Sequence, residues 1–584
     1  MDSQKLENEL NLALDSTPEE RIKSDNLNVG YDLADNTWEL IVRYTGSLDR
    51  IRQLGVTVVE LLSNYAVLTV PQNLVDVIAS ANEIIYVEKP KLLNFAIDRG
   101  MRVSCINQVQ ETPFNLHGEG CIVCVADSGI DYENDVFRRE DGKTRILELW
   151  DQTVTISENS PPEGYAIGAL FTEEDINAAL KLRGNERYNK VPSRDISGHG
   201  TAVASIAAGN FAGNRSQDPQ NDVGIATRSE LIVAKLGNQA EGSFPKTSQL
   251  MQAIDFFVKR GLYYGRPIAI NLSFGNNYGS HDGTSLLATY IDSVSQIGRS
   301  VIAVGTGNEG ASGSHVKEKF TTDVRMGNKT VELAVGMYEP SLNLQIWKSY
   351  GDVLQIELIS PSGMRTGILE NKLGAYRYRA GDTTLLIYYG EPSPYSPYQE
   401  IYVEFIPVNT YIESGIWKIN ISPVRIIDGE FDMWIPVEKI SSNTSFLEPD
   451  TDTTLTVPST AGAVISVGAY NSANFSYADF SGRGYTRTTG VIKPDIVAPG
   501  VDIECAAVGG GLVKRTGTSF ATPFVTGSAA LMMEWGFVRG NDRYLYGEKV
   551  KAYMIKGARQ LNGFDTPNRQ TGWGALCLRE SFPV

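Results

Sequence analysis

Three short stretches, spread over most of the chain, constrain every fold it can adopt. They are Val125-Ala-Asp-Ser-Gly-Ile-Asp131, Ser197-Gly-His-Gly-Thr201 and Thr516-Gly-Thr-Ser-Phe-Ala-Thr-Pro523. Each sets one chemical group among glycines and small residues: the carboxylate of Asp127, the imidazole of His199, the hydroxyl of Ser519. These are the parts of an acyl-transfer triad. A fourth stretch, Val304-Gly-Thr-Gly-Asn-Glu-Gly310, lies between the second and third and carries the amide of Asn308. Any one of them alone reads as a cap or a turn. Together they require a fold that gathers four distant segments.

Local context assigns each a place. Asp127 ends the apolar run Cys121–Ala126, a strand pattern, and a carboxylate at the carboxyl edge of a buried parallel strand lies where such sheets carry their sites. Its expected role is to orient His199 and stabilise the imidazolium. Asp131, in the same stretch, reads as a turn or capping residue. His199 precedes Ala202-Val-Ala-Ser-Ile-Ala-Ala-Gly, a helix of small side chains, and is one of only four histidines, so candidates for a general base are few. Pro523 is tolerated in a helix's first turn, which puts Ser519 at a helix N-terminus with its amide free to bind an oxyanion. Asn308, after the strand Val301–Val304, supplies a second donor. With His199 as base, activity should fall as pH drops through about 6–7, the ordinary histidine range.

The order of secondary-structure signals gives the architecture. Residues 1–34 are polar, forming one short helix (Gln4 to Leu14) or remaining disordered, and carry no chemistry. From Trp38 to Glu88 the pattern is β-α-β-β-α-β, a ferredoxin-like unit. From about 100 to 310, and again from about 454, buried strands such as Leu231–Leu236 and Ile268–Ser273 alternate with helices, the mark of a mostly parallel sheet flanked by helices. Between them, alternating runs such as Val353-Leu-Gln-Ile-Glu-Leu-Ile and Gly415-Ile-Trp-Lys-Ile-Asn-Ile predict an inserted all-β domain, a β-sandwich or jelly roll. The fold class is therefore α/β with two appended modules.

Bulk properties exclude several functions. The 584 residues carry a net charge of −17, which argues against nucleic acid or an anionic membrane surface as principal partner. Five cysteines, an odd number, indicate no disulfide framework. Cys121 and Cys124 resemble a metal or redox pair, but on a strand positions three apart face opposite sides. No apolar stretch is long enough to span a bilayer, and the polar N-terminus reads as lacking a secretory signal, so synthesis in a reducing cytoplasm is expected.

With these motifs the chain resembles the subtilases, whose order Asp, His, Ser it shares. By that resemblance Ser273-Phe274-Gly275 and Gly305-Thr306-Gly307 line the primary specificity pocket, where extended backbone pairs with substrate. Asn308 and the Ser519 amide form the oxyanion hole. The unit before the α/β domain resembles a propeptide that folds the enzyme and caps its cleft. The insertion after Gly307-Asn-Glu-Gly310, with Pro161-Pro-Glu-Gly and Pro267-Ile-Ala-Ile-Asn, is similar to the Csp proteases of clostridial spores. The resemblance implies a segmentation into an extension (1–34), a propeptide (35–95), a catalytic domain (96–313 and 454–584) and a β insert (314–453).

It further implies self-cleavage at the Phe95–Ala96 bond, a propeptide that stays docked as inhibitor, and spore association. The implied substrate is a protein, the zymogen of a cortex-lytic hydrolase, cut during germination by a monomeric protease. Alternatives are an inert signalling protein on the same scaffold, since some Csp members have lost triad residues, or a general degradative subtilase. The second histidine usual in subtilases is Ala202 here. The loop Asn210–Asp222 carries Asp218 and Asp222, compatible with calcium, but without a tight ligand pattern no cofactor is expected.

Overall fold

The computed structural model describes residues 5–24, 26–91, 94–95, 103–154, 159–210, 224–237, 245–321, 327–369, 372–436 and 443–583. Two compact units divide the chain: 1–92, 276–286 and 309–454 form one, and 93–275, 287–308 and 455–584 the other.

The second unit holds the four motifs. Its main sheet has nine strands, mostly parallel. The strands that matter for the site are β2 (Ile122–Asp127), β3 (Ile268–Leu272) and β5 (Ser300–Gly305), adjacent in the order β5-β3-β2 and all parallel. Every residue of the three is buried, which continuous apolar strands require when both faces are covered. Parallel alignment puts the carboxyl ends of all three at one edge. Two short strands, β1 (Asn94–Phe95) and β4 (Phe274–Gly275), pair antiparallel with each other. Helix α1 (His199–Ala208) and helix α2 (Thr518–Met533) are buried along their whole lengths. Their alanines, glycines and serines permit that, since small side chains let helices sit close to a sheet.

Cys105 and Cys577 are joined by a disulfide that links the beginning of this unit to its end. This corrects the expectation drawn from an odd cysteine count, which excludes full pairing but not a single bridge. Cys121, Cys124 and Cys505 are buried and form no disulfide, and burial pushes the thiols of Cys121 and Cys124 up, so neither has thiolate character.

In the first unit, strands Thr37–Tyr44, Thr57–Leu61, Tyr65–Pro71 and Ile84–Glu88 form an antiparallel sheet in the spatial order fourth, first, third, second, the ferredoxin-like arrangement. The inserted segment folds as two antiparallel sheets of six and four strands. Leu344, Ile346 and Val403 from one sheet share a core with Leu354, Ile356 and Trp417 from the other. The opposite face of the six-stranded sheet is also covered. Its Leu386, Tyr388, Tyr402 and Ile406 join a core with Trp38, Leu40 and Leu68 of the ferredoxin-like module.

Residues 1–34 do not stand apart from this core. Helix Asn8–Asp15 forms, and Leu6, Leu10, Leu12, Ala13 and Leu27 are buried in it. Of the two readings of this stretch, helix or disorder, the helix is the one that forms, and its leucines fill the seam between the ferredoxin-like sheet and the β insert.

Candidate active site

The carboxyl edge of β2, β3 and β5 and the N-termini of α1 and α2 converge. Asp127 is the last residue of β2 and fully buried. Its Oδ1 lies 2.7 Å from His199 Nδ1 and accepts a second hydrogen bond from the Ser128 amide, also 2.7 Å. A carboxylate there fixes the tautomer with Nδ1 protonated, leaving Nε2 as the basic nitrogen. Oδ2 of Asp127 is buried with no hydrogen-bond partner among the described residues.

His199 opens α1, with Gly198 before it in the left-handed region at φ 72°. Close approach of α1 to β2 depends on Gly200. A Cβ at that position would sit 2.1 Å from the Gly129 carbonyl oxygen and 3.1 Å from the Asp127 Cβ. Only glycine permits the Asp127–His199 distance. Asp131 serves the turn instead, its Oδ1 accepting from the Glu133 amide at 3.2 Å and its Oδ2 from the Gly509 amide at 2.8 Å.

Ser519 is the second residue of α2. Its backbone N–H has no acceptor among the described residues, as the opening turn of a helix leaves its amides unpaired. The neighbouring Thr518 amide is held by Asn308 Oδ1 at 3.0 Å. With its oxygen committed to Thr518, the Asn308 amide group presents its N–H₂ end as donor. The His199 ring packs against that of Phe520, centroids 5.2 Å apart, so imidazole and Ser519 are neighbours across the two helix ends. The Ser519 hydroxyl itself donates to the Ser273 carbonyl at 2.8 Å.

Ser273 has a second contact that sequence reasoning missed. Pro523 lies in the second turn of α2, not the first, and has no N–H to offer the Ser519 carbonyl four residues back. The Ser273 hydroxyl fills that place, donating to Ser519 O at 2.9 Å. It is steadied by Asn271 Nδ2 at 2.7 Å, and Asn271 Oδ1 accepts from Thr526 of α2 at 2.9 Å. The strand edge and the helix that carries Ser519 are thus stitched together. The signal, a proline four residues after Ser519, becomes readable only once the helix start at Thr518 is placed.

The two segments assigned to substrate binding end neighbouring strands. Ser273-Phe274-Gly275 follows β3, and Gly305-Thr306-Gly307 closes β5 on the neighbouring strand. Gly275 abuts Thr456, whose hydroxyl would lie 2.4 Å from a Cβ there. Gly305 faces Thr518 and Thr522 of α2. Against this edge runs the chain's own β1, with Phe95 opposite Phe274 and Asn94 opposite Gly275. Ala96 lies outside the described residues, as do Asp218 and Asp222 of the calcium-compatible loop. Among the described residues no group of His, Cys, Asp and Glu is arranged to hold a metal, and no helix is long and apolar enough to cross a membrane.

Comparison with known proteins fits this geometry. The subtilase family profile matches residues 118–391 and 441–574. The chain belongs to the subtilase family. Residues 4–91 match the Csp protease B prodomain, so this subtilase carries a propeptide. The CspB protease of Clostridium perfringens superposes with a TM-score of 0.74 at 34% identity, over 82% of this chain and 95% of that one. Among curated relatives, the subtilisin-like protease SBT3.1 of Arabidopsis thaliana is 24% identical over 71% of this chain and 53% of its own. The serine protease AprX of Bacillus subtilis is 33% identical over 27% and 38%. The chain spans about half the length of the curated relatives it matches over most of its own length. The subtilisin-like α/β fold, a serine-peptidase family and an attached prodomain follow from these matches.

Proposed function

We propose that this subtilase is an active endopeptidase that cleaves its own propeptide and then activates a protein zymogen. The observation that carries the reading is the β1–β4 pair. It lays residues 94–95 of the chain, extended, on the edge that begins at Ser273, the residue hydrogen-bonded to the nucleophile. Substrate peptides bind such edges by strand addition.

The steps follow from the contacts. The Ser519 hydroxyl leaves the Ser273 carbonyl, turns to His199 Nε2 and gives up its proton as Oγ attacks the scissile carbonyl carbon. Negative charge gathers on the carbonyl oxygen, where the Ser519 N–H and the Asn308 amide donate; loss of one such donor costs about 10²–10³ in turnover, a value measured in a subtilisin. Asp127 holds the imidazolium through Nδ1. The tetrahedral adduct collapses to an acyl-enzyme as His199 protonates the leaving amine, and water repeats the sequence to release the acid. No cofactor is needed at any step.

The propeptide-matching residues 4–91 share a core with the β insert, which supports retention after cleavage and hence a narrow substrate range. The likeness to the CspB protease supports a cortex-lytic zymogen in the spore as the target. One experiment follows full-length protein over time by denaturing gel and N-terminal sequencing. Wild type should yield two fragments, the larger beginning near Ala96, whereas Ser519→Ala should stay a single band. The processed protein should then cut a purified cortex-hydrolase zymogen at one bond and leave casein largely intact. Processing that continues in Ser519→Ala, or the absence of processing in wild type, would favour the inert scaffold instead.

A further inference from the structure

We propose that Asp195 is a positioning residue for His199, clamping the first turn of α1 onto the segment that carries Asp127. The proposal rests on the peptidase reading above. Helix α1 begins with glycine at its cap, so the cap has no side chain to hold the first helical amides. Asp195, three residues upstream and 2% exposed, takes over. Its Oδ1 accepts from the Gly198 amide (2.9 Å) and the Ser128 hydroxyl (2.8 Å), with the Ser197 hydroxyl at 3.3 Å. Its Oδ2 accepts from the Thr201 amide (2.8 Å) and hydroxyl (2.7 Å).

The two remaining amides close the clamp through relays. Gly200 N donates to Ser128 Oγ at 3.0 Å, and His199 N donates to Ser197 Oγ at 3.1 Å, itself 2.8 Å from Ser128 Oγ. All four N–H groups from 198 to 201 therefore end, directly or through one or two hydroxyls, on one carboxylate. Ser128 belongs to the other side, since its own amide holds Asp127 Oδ1. Asp195 thus fixes the imidazole relative to the carboxylate it pairs with. An ordinary helix cap would bind α1 alone.

The residue also places a buried negative charge on the first turn of the helix that His199 opens. Other charged groups around this stretch are Asp127, Asp131, whose amide donates to the Thr201 hydroxyl at 2.8 Å, Lys235 beside Gly129, and Arg515 beside Gly198. An anion there favours the imidazolium, so removing its charge makes neutral imidazole persist to lower pH.

The test measures the self-processing rate of the full chain from pH 5 to 8, with thermal melting as the check on folding, in Asp195→Asn, Asp195→Ala and Ser519→Ala. Asp195→Asn keeps the volume and an acceptor oxygen. It should fold, process about tenfold more slowly and move its acid limb down by about half a pH unit. Asp195→Ala, which strips every contact, should lose about a hundredfold in rate. A folded Asp195→Ala that processes within about twofold of wild type overturns the proposal. If Asp195→Ala does not fold, an Asp195→Asn with wild-type rate and an unmoved acid limb overturns it. A processing Ser519→Ala overturns the peptidase reading and this assignment with it, a result the Asp195 variants alone cannot produce.

Discussion

At the scale of single residues, the site is set by what cannot be larger. Gly200→Ala adds one methyl group, yet that methyl would lie 2.1 Å from the Gly129 carbonyl oxygen, and backbone cannot swing aside as a side chain can. The expected result is a protein that folds with a displaced α1, a lengthened Asp127–His199 contact and self-processing slowed by about a hundredfold or more. A gel time course checks this, and processing at the wild-type rate would show that the contact tolerates displacement. Asp127, His199, Asn308 and Ser519 could be picked out in the sequence as polar groups set amid glycines and small neighbours, and the fold brings their segments to one edge. Asp195 could not be picked out, since a carboxylate in a polar loop looks the same whether it faces solvent or collects five donors. The pairing of Ser273 with Ser519 was hidden for a different reason. It depends on a carbonyl left empty by Pro523, which is visible only once the helix start is known.

At the scale of elements, periodicity named most strands and failed where burial came from a distant partner. The Asn8–Asp15 helix was readable only as one of two alternatives, helix or disorder, and its composition, half Asn, Asp and Glu, gave no sign that it is buried. Its four apolar residues Leu10, Leu12, Ala13 and Leu14 cluster against two sheets rather than along one face of a larger core. The disulfide was equally invisible, because 472 residues separate its cysteines. Leu10 is fully buried, so Leu10→Ala should remove about 2–5 kcal/mol from the unit formed by the ferredoxin-like module and the β insert. Hydrogen–deuterium exchange should show faster exchange in Thr37–Tyr44 and Tyr65–Pro71 and no change in β2, β3 and β5. Equal protection in wild type and variant would mean that the helix is an ornament on a self-sufficient sheet.

At the scale of the whole molecule, both units seal charge inside them. The catalytic unit holds the separate buried pairs Lys235–Asp151 at 3.3 Å and Lys493–Asp495 at 2.7 Å, whereas the other gathers its charge in one cluster. Lys89 pairs with Glu9 at 2.5 Å, and Lys91 with Glu88 at 3.0 Å and with Glu7. From the insert, Glu400 accepts from Asn8 Nδ2 at 2.7 Å, and Glu404 from the hydroxyls of Ser24 (2.5 Å) and Tyr402 (2.8 Å). Five carboxylates against two lysines leave an excess of acid where water is scarce. Burial pushes Glu400 up to about 7, and Glu7 and Glu404 up to about 8, against an ordinary 4.5. The hydrogen bonds from Asn8, Ser24 and Tyr402 and the charge of Lys91 oppose the rise without cancelling it.

Each of these groups binds its proton more tightly folded than unfolded, so the folded unit holds more protons and stability falls as pH rises. Their contribution is whole below about 4.5, the unfolded value, and is lost as pH climbs through about 7 for Glu400 and about 8 for Glu7 and Glu404. The ceiling is about 1.4 kcal/mol per group per pH unit crossed. Exchange protection of residues 6–13, corrected for the intrinsic pH dependence, should therefore drop between pH 5.5 and 8.5. Glu404→Gln keeps the shape and the acceptor for Ser24 while discarding the charge. It should be neutral at pH 5, stabilising at pH 8.5, and should flatten the slope between them. Protection that holds constant across this range in wild type would mean that the lysines neutralise the whole cluster, and that the seam between module and insert is indifferent to pH.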